Sequence, residues 1–471
     1  MTRACLALFG ICFVGMMPGL HLRAAELQAG VAVVDITPPK GYRMAGYFSE
    51  RLNTGTHDAL QAKALVLHQG DERAALVFCD LIGISREVSD RARKLATKKT
   101  SIPAANILIA ATHSHTGPLY MGALRRYFHD QAVAAKGEDP HEKIDYSAVL
   151  ADKLAEAIDT AHKSARPVAL SAGVARQEGL SFNRRFHMKD GTVQFNPGKL
   201  NSNIVRTAGP IDPDVGLLRV RDGDKDLALL TVFALHLDTV GGTEYSADYP
   251  FHLERKLRPA LSAEGVSLFA AGTCGDINHI DVSKKDPQKG QLEAGRIGAT
   301  LGETVEAALP KLRPVRSPRL AVRGSIVKAP LQKYDAETIA QAKKDMAKIG
   351  TRDLPFLKQV ETYKIVSLQM LPGDTLPMEV QVFRLSDDVA VVGLPGEIFV
   401  ELGLAIKKAS PFRTTLVIEL CNDAPGYVPT AKAFKEGSYE TVNSRVQSGG
   451  GEKLVEAATR LLKELADSRR P

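Results

Sequence analysis

Residues 107–118 read ILIAATHSHTGP, an apolar run that leads into two histidines and a Gly-Pro turn. The apolar part is typical of a buried β-strand, and side chains two residues apart on an extended chain project from the same face. His113 and His115 are therefore predicted to serve one site. In such a pair one imidazole can bind a metal ion while the other transfers a proton.

Other apolar runs also end in polar residues of the kinds used in catalysis. They alternate with segments whose apolar residues have helical spacing, which indicates an α/β protein with a mixed β-sheet core flanked by helices. Ligands of such sheets bind outside the carboxyl ends of the strands, so these polar residues are predicted to converge on one site. The runs are 229–235, 267–271, 389–394 and 416–420, followed by His236 and Asp238, Cys274 to Asn278, Glu397, and Asn422 and Asp423.

The same patterns predict individual elements. Residues 62–66 and 74–78 are predicted strands, and 149–161, 292–307 and 453–465 are predicted helices. Asp335 opens an Asp-x-x-Thr helix start, and the helix that follows to residue 349 is amphipathic. We expect it to be exposed, as an ordinary surface helix, an insertion or a lid.

His113, His236 and Glu397 form a two-histidine, one-carboxylate set, the arrangement that leaves an open position for water in hydrolytic zinc sites. Zinc lowers the pKa of bound water from about 15.7 to about 7 and polarises a carbonyl group. Each residue alone has a structural alternative, such as a hydrogen-bonded core histidine or a carboxylate at a helix N-terminus. Mn²⁺ and Fe²⁺ remain alternative occupants of such a set.

The N-terminal segment is predicted to be a signal peptide. Residues 1–25 carry Arg3, an apolar run from residue 4 to 20, and the small residues Ala24 and Ala25. The protein is thus expected to be secreted or periplasmic, with an uncleaved N-terminal anchor as the alternative. Residues 26–471 are predicted to form one compact unit.

Cysteine usage and charge limit the class of protein and its partners. Beyond residue 25 the chain has Cys79, Cys274 and Cys421, an odd number at wide spacing that excludes a disulfide scaffold. The net charge is +7, but the lysines and arginines are scattered among acidic residues. No lysine-rich run or RNA-binding aromatic motif is present, so no nucleic-acid partner is expected. The excess of basic over acidic residues favours anionic partners, and peripheral membrane contact is one possibility.

The block ATHSHTGP at 111–118 resembles the Thr-His-Thr-His-Ser-Gly-Pro signature of the neutral (non-lysosomal) ceramidase family, whose members are zinc-dependent amidases. The resemblance covers most of residues 26–471, and its most specific part is the His-x-His-x-Gly-Pro block. The other blocks, in family order, are VDIT at 34–37, GTHD at 55–58, FALH at 233–236, LPGE at 394–397, and GY at 426–427 with Tyr439 beyond it.

The resemblance implies one zinc ion per chain and a set of ligands. His113 and His236 would be ligands, Glu397 the carboxylate ligand, and Tyr427 a further phenolic ligand. Tyrosine is an unusual zinc ligand, because the metal has to stabilise a phenolate whose free pKa is about 10. The alternative for Tyr427 is a core tyrosine that donates to a backbone carbonyl.

The resemblance also implies catalytic roles. His115 would exchange a proton with the zinc water or the departing amine, or else hold His113 or its loop in place. Tyr439 would donate a hydrogen bond to the developing oxyanion. Arg184 would bind a substrate oxygen, a role for which Arg185 competes.

Two features depart from the family. Ceramidases have a Gly-Asp-Val-Ser-Pro-Asn-like block, whereas this chain reads Gly-Asp-Ile-Asn-His at 275–279, so a serine nucleophile at that position is excluded. Asp276 and Asn278 are predicted to contact the substrate. The chain is also expected to lack the β-sandwich-like C-terminal domain of full-length ceramidases, so residues 26–471 are expected to be the catalytic domain alone.

The sequence therefore predicts an exported zinc amidohydrolase that cleaves an N-acyl amide, ceramide or an analogue, by attack of zinc-bound water. The substrate would be a lipid or another small molecule. A zinc deacetylase or esterase that acts on glycans or other acylated compounds is the alternative. A third hypothesis is a non-catalytic protein of the same fold that binds a polar headgroup.

Overall fold

The computed structural model describes residues 25–468. The strands are β1 (Leu27–Asp35), β2 (Gly55–Thr56), β3 (Gln61–Gln69), β4 (Glu72–Cys79), β5 (Ile107–Ala111), β6 (Arg166–Pro167), β7 (Ala169–Arg176), β8 (Phe182–Asn183), β9 (Arg185–Met188), β10 (Val193–Phe195), β11 (Ile204–Thr207), β12 (Asp214–Asp222), β13 (Lys225–Phe233), β14 (Glu244–Tyr245), β15 (Val266–Ala271), β16 (Ile277–Asn278), β17 (Arg313–Pro314), β18 (Pro318–Pro330), β19 (Thr375–Ser386), β20 (Val389–Gly393), β21 (Glu397–Ile398), β22 (Thr414–Ile418) and β23 (Tyr427–Val428). The helices are α1 (Arg86–Thr100), α2 (Gly122–Lys136), α3 (Tyr146–Lys163), α4 (Tyr249–Leu257), α5 (Gly290–Ala308), α6 (Ala336–Asp345), α7 (Phe356–Leu368), α8 (Val400–Ala409), α9 (Ala431–Glu436), α10 (Tyr439–Asn443) and α11 (Gly450–Asp467).

Three larger sheets make up the core. Their strand orders are β5-β4-β3-β1-β6, β15-β13-β12-β7-β17 and β18-β19-β20-β22. Most neighbouring strands are antiparallel, but each sheet has one parallel pair: β4 with β5, β13 with β15, and β20 with β22. The mixed α/β class predicted from the sequence is therefore confirmed.

The three sheets share one central apolar cluster. Leu108 of β5, Leu230 of β13 and Val391 of β20 are all fully buried in it. On its other face each sheet is covered by helices: α1 and α3 cover the first, α4 and α5 the second, and α8 and α11 the third. This packing brings the ends of strands from different sheets together on one side of the cluster.

Most of the elements predicted from apolar spacing are confirmed. The predicted strands are the central parts of β3 and β4, and the predicted helices lie within α3, α5 and α11. The Asp335 helix start is also confirmed, because the Asp335 carboxylate accepts a hydrogen bond from the backbone N–H of Thr338. This helix, α6, ends earlier than predicted, at Asp345, and a short 3₁₀ helix (Met346–Lys348) follows it.

The predicted signal segment lies outside the described residues, except for Ala25, and stays a prediction. Between residues 25 and 468 no helix has the length and apolar character needed to cross a bilayer. Cys79, Cys274 and Cys421 are buried free thiols, which agrees with the expectation that this is not a disulfide scaffold.

Asp80, directly after β4, should make stability depend on pH. Its carboxylate accepts a hydrogen bond from the Gln61 backbone N–H (2.9 Å), and burial raises its pKa to about 7. In the unfolded chain the pKa is about 3.9, so the stability that Asp80 contributes is full below about pH 4 and is lost as pH rises towards 7. Asp80→Asn should therefore become more stable relative to the wild type across this range, by about 1.4 kcal/mol for each unit of pKa shift. Urea unfolding of both proteins at pH 5 and pH 8 measures this, and an equal difference at both pH values would contradict it.

Candidate metal centre

The candidate site lies where the carboxyl ends of the three parallel pairs meet. His113 follows β5, His236 follows β13, and Glu397 follows β20. Isolated bridges from Ser114 to Leu237 and from Ala110 to Cys421 join the segments that leave the sheets. The predicted convergence of polar residues at strand ends is thus confirmed for these three.

Three other side-chain atoms lie close to His113 Nε2. His113 Nε2 lies 3.0 Å from His236 Nε2 and 3.3 Å from His115 Nε2. Glu397 Oε2 lies 3.4 Å from His113 Nε2 and 3.5 Å from His236 Nε2. In a tetrahedral zinc site with bonds of about 2.0–2.1 Å, neighbouring ligand atoms are about 3.3 Å apart. The measured separations fit that geometry.

The hydrogen bonds of the two histidines leave a lone pair on each Nε2 atom. His113 Nδ1 donates to the Ile82 carbonyl (2.7 Å), and His236 Nδ1 donates to the Cys274 carbonyl (2.9 Å). In a neutral ring the proton is then on Nδ1, and Nε2 has only a lone pair. Burial, together with Arg184, lowers the pKa of His236 to about 4, so this ring is neutral at pH 7.

The Glu397 carboxylate lies next to these lone pairs. Burial raises the pKa of Glu397, but contacts with His113 and His236 hold it well below its usual range. Its Oε2 is buried and has no hydrogen-bond partner among the described residues. Two lone pairs and a carboxylate oxygen at these distances repel each other unless a proton or a metal cation lies between them. The residues present therefore fit a zinc ion.

The conformation of the histidine segment differs from the predicted extended strand. Strand β5 stops at Ala111, and His113 has φ of 85°, in the left-handed region that residues with a Cβ rarely adopt. Its backbone N–H is held by the Leu81 carbonyl (2.9 Å), and that of His115 by the Leu237 carbonyl (3.1 Å). A turn, rather than one face of a strand, thus brings the two imidazoles together, and such strain is common at functional sites.

Tyr427 lies beside Glu397, because β21 and β23 pair these two residues directly. Its buried hydroxyl accepts a hydrogen bond from Arg184 Nη2 (3.1 Å), which differs from the alternative of a core tyrosine that donates to a backbone carbonyl. Burial and Glu397 raise the pKa of Tyr427 well above its ordinary value, against the effect of Arg184. Burial and Glu397 thus disfavour a phenolate at this position, and a metal cation beside it would offset that effect. Glu397 itself lies in β21 and not at a helix start, since α8 begins at Val400.

Arg184, and not Arg185, reaches the site. Arg184 donates to the Gly275 carbonyl through Nη2 (2.7 Å) and to Glu440 through Nε (2.9 Å). Arg185 donates to the other oxygen of Glu440 (3.1 Å). Glu440 is fully buried between the two arginines, and sequence reasoning missed it. The available signal was the adjacent Asn-Arg-Arg segment, because two buried arginines need a buried acid.

Tyr439 lies at the partly exposed side of the site. Its ring is 5.4 Å from that of Tyr427, 4.6 Å from Phe195 and 5.6 Å from Phe356, the first residue of α7. Burial raises its pKa to about 12, so its hydroxyl is a hydrogen-bond donor at pH 7. The tyrosine pair noted in the sequence is thus in contact in the structure.

His115 is next to the two candidate histidine ligands, and its Nε2 is within metal-binding reach of both. Burial and the neighbouring His113 lower its pKa to about 3, so the ring is neutral at pH 7 and has a free lone pair. The ring of Tyr47 packs against it edge-on at 6.3 Å. His115 is therefore positioned either to accept a proton or to ligate.

Asp238, two residues after His236, binds His279 Nδ1 through Oδ1 (3.1 Å). The other ring nitrogen of His279 donates to the Gln288 carbonyl (2.7 Å). Against the effect of burial, Asp238 raises the pKa of His279. His279 is thus held in an ion pair and lies outside the group of three histidines that could hold a metal ion.

The side chains of Asp276 and Asn278 form hydrogen bonds with other groups of the protein. Asp276 accepts hydrogen bonds from the Val400 backbone N–H (2.9 Å) and from Asn183 Nδ2 (2.8 Å). Asn278 donates to Asn196 Oδ1 (3.0 Å). Asp276 and Asn278 are both buried. The Arg184 backbone N–H donates to the Asp276 carbonyl (2.9 Å), so this segment supports Arg184. The substrate-binding role of Asp276 and Asn278 stays a prediction.

The fold and the cluster define a mixed α/β protein with a histidine-carboxylate centre at its strand ends. Residues 27–246, which include His113, His115, Arg184 and His236, match the family described as "Neutral/alkaline non-lysosomal ceramidase, N-terminal". The resemblance read from the sequence motifs is thereby confirmed.

Similar proteins agree with this match. The chain is 24% identical over 283 residues to neutral ceramidase A of Dictyostelium discoideum, covering 56% of this chain and 37% of that protein. It is 26% identical over 219 residues to a neutral ceramidase of Mycobacterium tuberculosis, covering 45% of this chain and 32% of that protein. The matches thus span about a third of the length of these relatives.

The same fold is found in a solved structure. The neutral ceramidase of Pseudomonas aeruginosa superposes with a TM-score of 0.70 at 18% identity, over 94% of this chain and 75% of the other. This likeness extends the shared fold beyond residue 246, to the part of the chain that carries Glu397, Tyr427 and Tyr439.

Proposed function

We propose that the chain is an exported, zinc-dependent amidohydrolase that cleaves the N-acyl amide bond of ceramide or an analogue. The observation that carries this proposal is the approach, within 3.0–3.5 Å, of two histidine Nε2 atoms and the unpartnered carboxylate oxygen of Glu397. The ceramidase relatives supply the substrate class, and the predicted signal segment supports export.

The ligands would be His113, His236 and Glu397, with Tyr427 as a further one. When bound, zinc would polarise the substrate carbonyl and lower the pKa of a water molecule beside it. His115 would accept a proton from that water and return it to the departing amine. The balanced reaction is an amide plus water giving a carboxylic acid and an amine.

Tyr439 and Arg184 would act on the substrate oxygens. Tyr439 would donate its hydroxyl hydrogen to the oxyanion that develops as the carbonyl is attacked. Arg184 uses Nε and Nη2 for contacts with Glu440, Gly275 and Tyr427, so Nη1 is the nitrogen proposed to bind a substrate oxygen. The buried pair with Glu440 fixes the direction of this guanidinium.

Metal removal tests the proposal. The purified protein is expected to contain about one zinc per chain, to lose hydrolysis of a fluorescent short-chain ceramide on chelation, and to regain it when zinc is returned. Zinc without ceramide turnover would redirect the proposal to N-acyl sugars and esters, for which the same residues would serve. Absence of bound metal would overturn the hydrolase proposal. Sequencing the N-terminus of the mature protein tests export.

A further inference from the structure

Glu419, the residue that follows β22, is fully buried and contacts the backbone next to the candidate metal centre. Its Oε2 accepts hydrogen bonds from the backbone N–H groups of Ile398 (2.7 Å) and Cys274 (3.1 Å). Its Oε1 accepts one from Cys274 Sγ (3.0 Å). One carboxyl group thus joins two chain segments that come from different sheets.

Both of these segments hold candidate ligands. The Cys274 carbonyl accepts the Nδ1 hydrogen of His236, and Ile398 directly follows Glu397. The segments also touch each other, because the Gly275 N–H donates to the Ile398 carbonyl (2.9 Å) and a Cβ on Gly275 would lie 2.6 Å from the Glu397 carbonyl oxygen. Glu419 is therefore hydrogen-bonded directly to Cys274, which orients His236, and to Ile398 in the strand that carries Glu397.

Keeping a carboxyl group in this position is unfavourable for folding. Burial raises the pKa of Glu419 to about 8, and its hydrogen-bond partners are backbone amides and a thiol. A buried carboxyl group without a cationic partner costs stability compared with an apolar side chain of similar size. Its presence is explained if the three hydrogen bonds serve the neighbouring centre.

We propose that Glu419 is a positioning residue that sets the metal affinity of the site, because it fixes the Cys274 carbonyl against His236 and the backbone beside Glu397. Groups that orient metal ligands in this way typically change metal affinity 10–100-fold when they are removed. This inference rests on the proposed metal-dependent function.

The experiment measures the zinc dissociation constant by competition with a chelator, together with the absorption spectrum of the cobalt-substituted protein. Glu419→Ala is expected to bind zinc about 10–100-fold more weakly and to show a changed cobalt spectrum. Glu419→Gln should stay close to the wild type, because an amide oxygen can accept both backbone hydrogen bonds and its NH₂ group can donate to the thiol.

Asp226→Ala is the matched control. Asp226 is a buried carboxylate paired with Arg219 (2.5 Å), near the start of β13 and about 20 Å or more from the end that leads to His236. Its loss should lower the melting temperature and leave the zinc affinity unchanged.

Each outcome separates the two proposals. Wild-type protein that binds no metal would overturn the proposed function, whereas wild-type affinity in Glu419→Ala would overturn only the role of Glu419. An equal loss of affinity in Asp226→Ala would also overturn it, because the effect would then follow general destabilisation. If Glu419→Ala does not fold, Glu419→Asp decides, since it withdraws the carboxyl group by one methylene, and wild-type affinity in that variant contradicts the proposal.

Discussion

Replacing His236 by alanine is expected to release the metal and to lower kcat/KM by at least about 100-fold, the upper end of the effect of losing only a group that orients a ligand. The reason is geometric: His236 Nε2 is 3.0 Å from His113 Nε2 and 3.5 Å from Glu397 Oε2, so its loss opens one corner of the cluster. Metal analysis and ceramide hydrolysis in the same samples measure both effects.

His252→Ala is the control for this variant. His252 is a partly buried histidine that hydrogen-bonds Gln291 (3.0 Å) and lies outside the candidate ligand cluster. It should retain metal and activity. A His236→Ala protein that still holds one metal ion per chain would show that the centre has been assigned to the wrong residues.

Tyr439→Phe is expected to lower kcat by about 100–1000-fold with little change in KM, the effect of removing one donor to a developing oxyanion. The pKa of about 12 keeps the Tyr439 hydroxyl protonated, so it can donate throughout the neutral range. Phenylalanine preserves the ring contacts with Phe195 and Phe356, so the change removes only the hydroxyl. Steady-state kinetics on the short-chain ceramide separate kcat from KM.

Tyr363→Phe gives the same chemical change in the neighbouring aromatic group. Tyr363 packs against Phe48 at 5.5 Å, and Phe48 in turn contacts Phe356. Its loss of a hydroxyl should leave kcat unchanged. Full kcat in Tyr439→Phe would remove Tyr439 from the catalytic set and leave it a role in shaping the entrance.

The sequence predicted the parts of the site that depend on strand ends and local motifs. His113, His236 and Glu397 each follow an apolar run, and burial of that run in a sheet determines where the next polar residue emerges. The family motifs added Tyr427, Tyr439 and Arg184, which the structure brings together.

Other parts depend on tertiary contacts that no local pattern encodes. Glu440 pairs with Arg184 across 256 positions of sequence, and Glu419 bonds Cys274 across 145. The left-handed backbone of His113 likewise depends on its surroundings, since residues with a Cβ rarely adopt it. The hydrogen bonds of Asp276 likewise come from distant positions, the backbone of Val400 and the side chain of Asn183.

The three parallel strand pairs have a consequence for how the protein is made. The two candidate histidine ligands come from the first and second sheets, and the carboxylate comes from the third, 161 positions after His236. A nascent chain that has not yet reached residue 397 cannot assemble the centre, however well its earlier sheets have folded. In the proposed enzyme, the complete ligand set is therefore available only after the chain has been synthesised past Glu397.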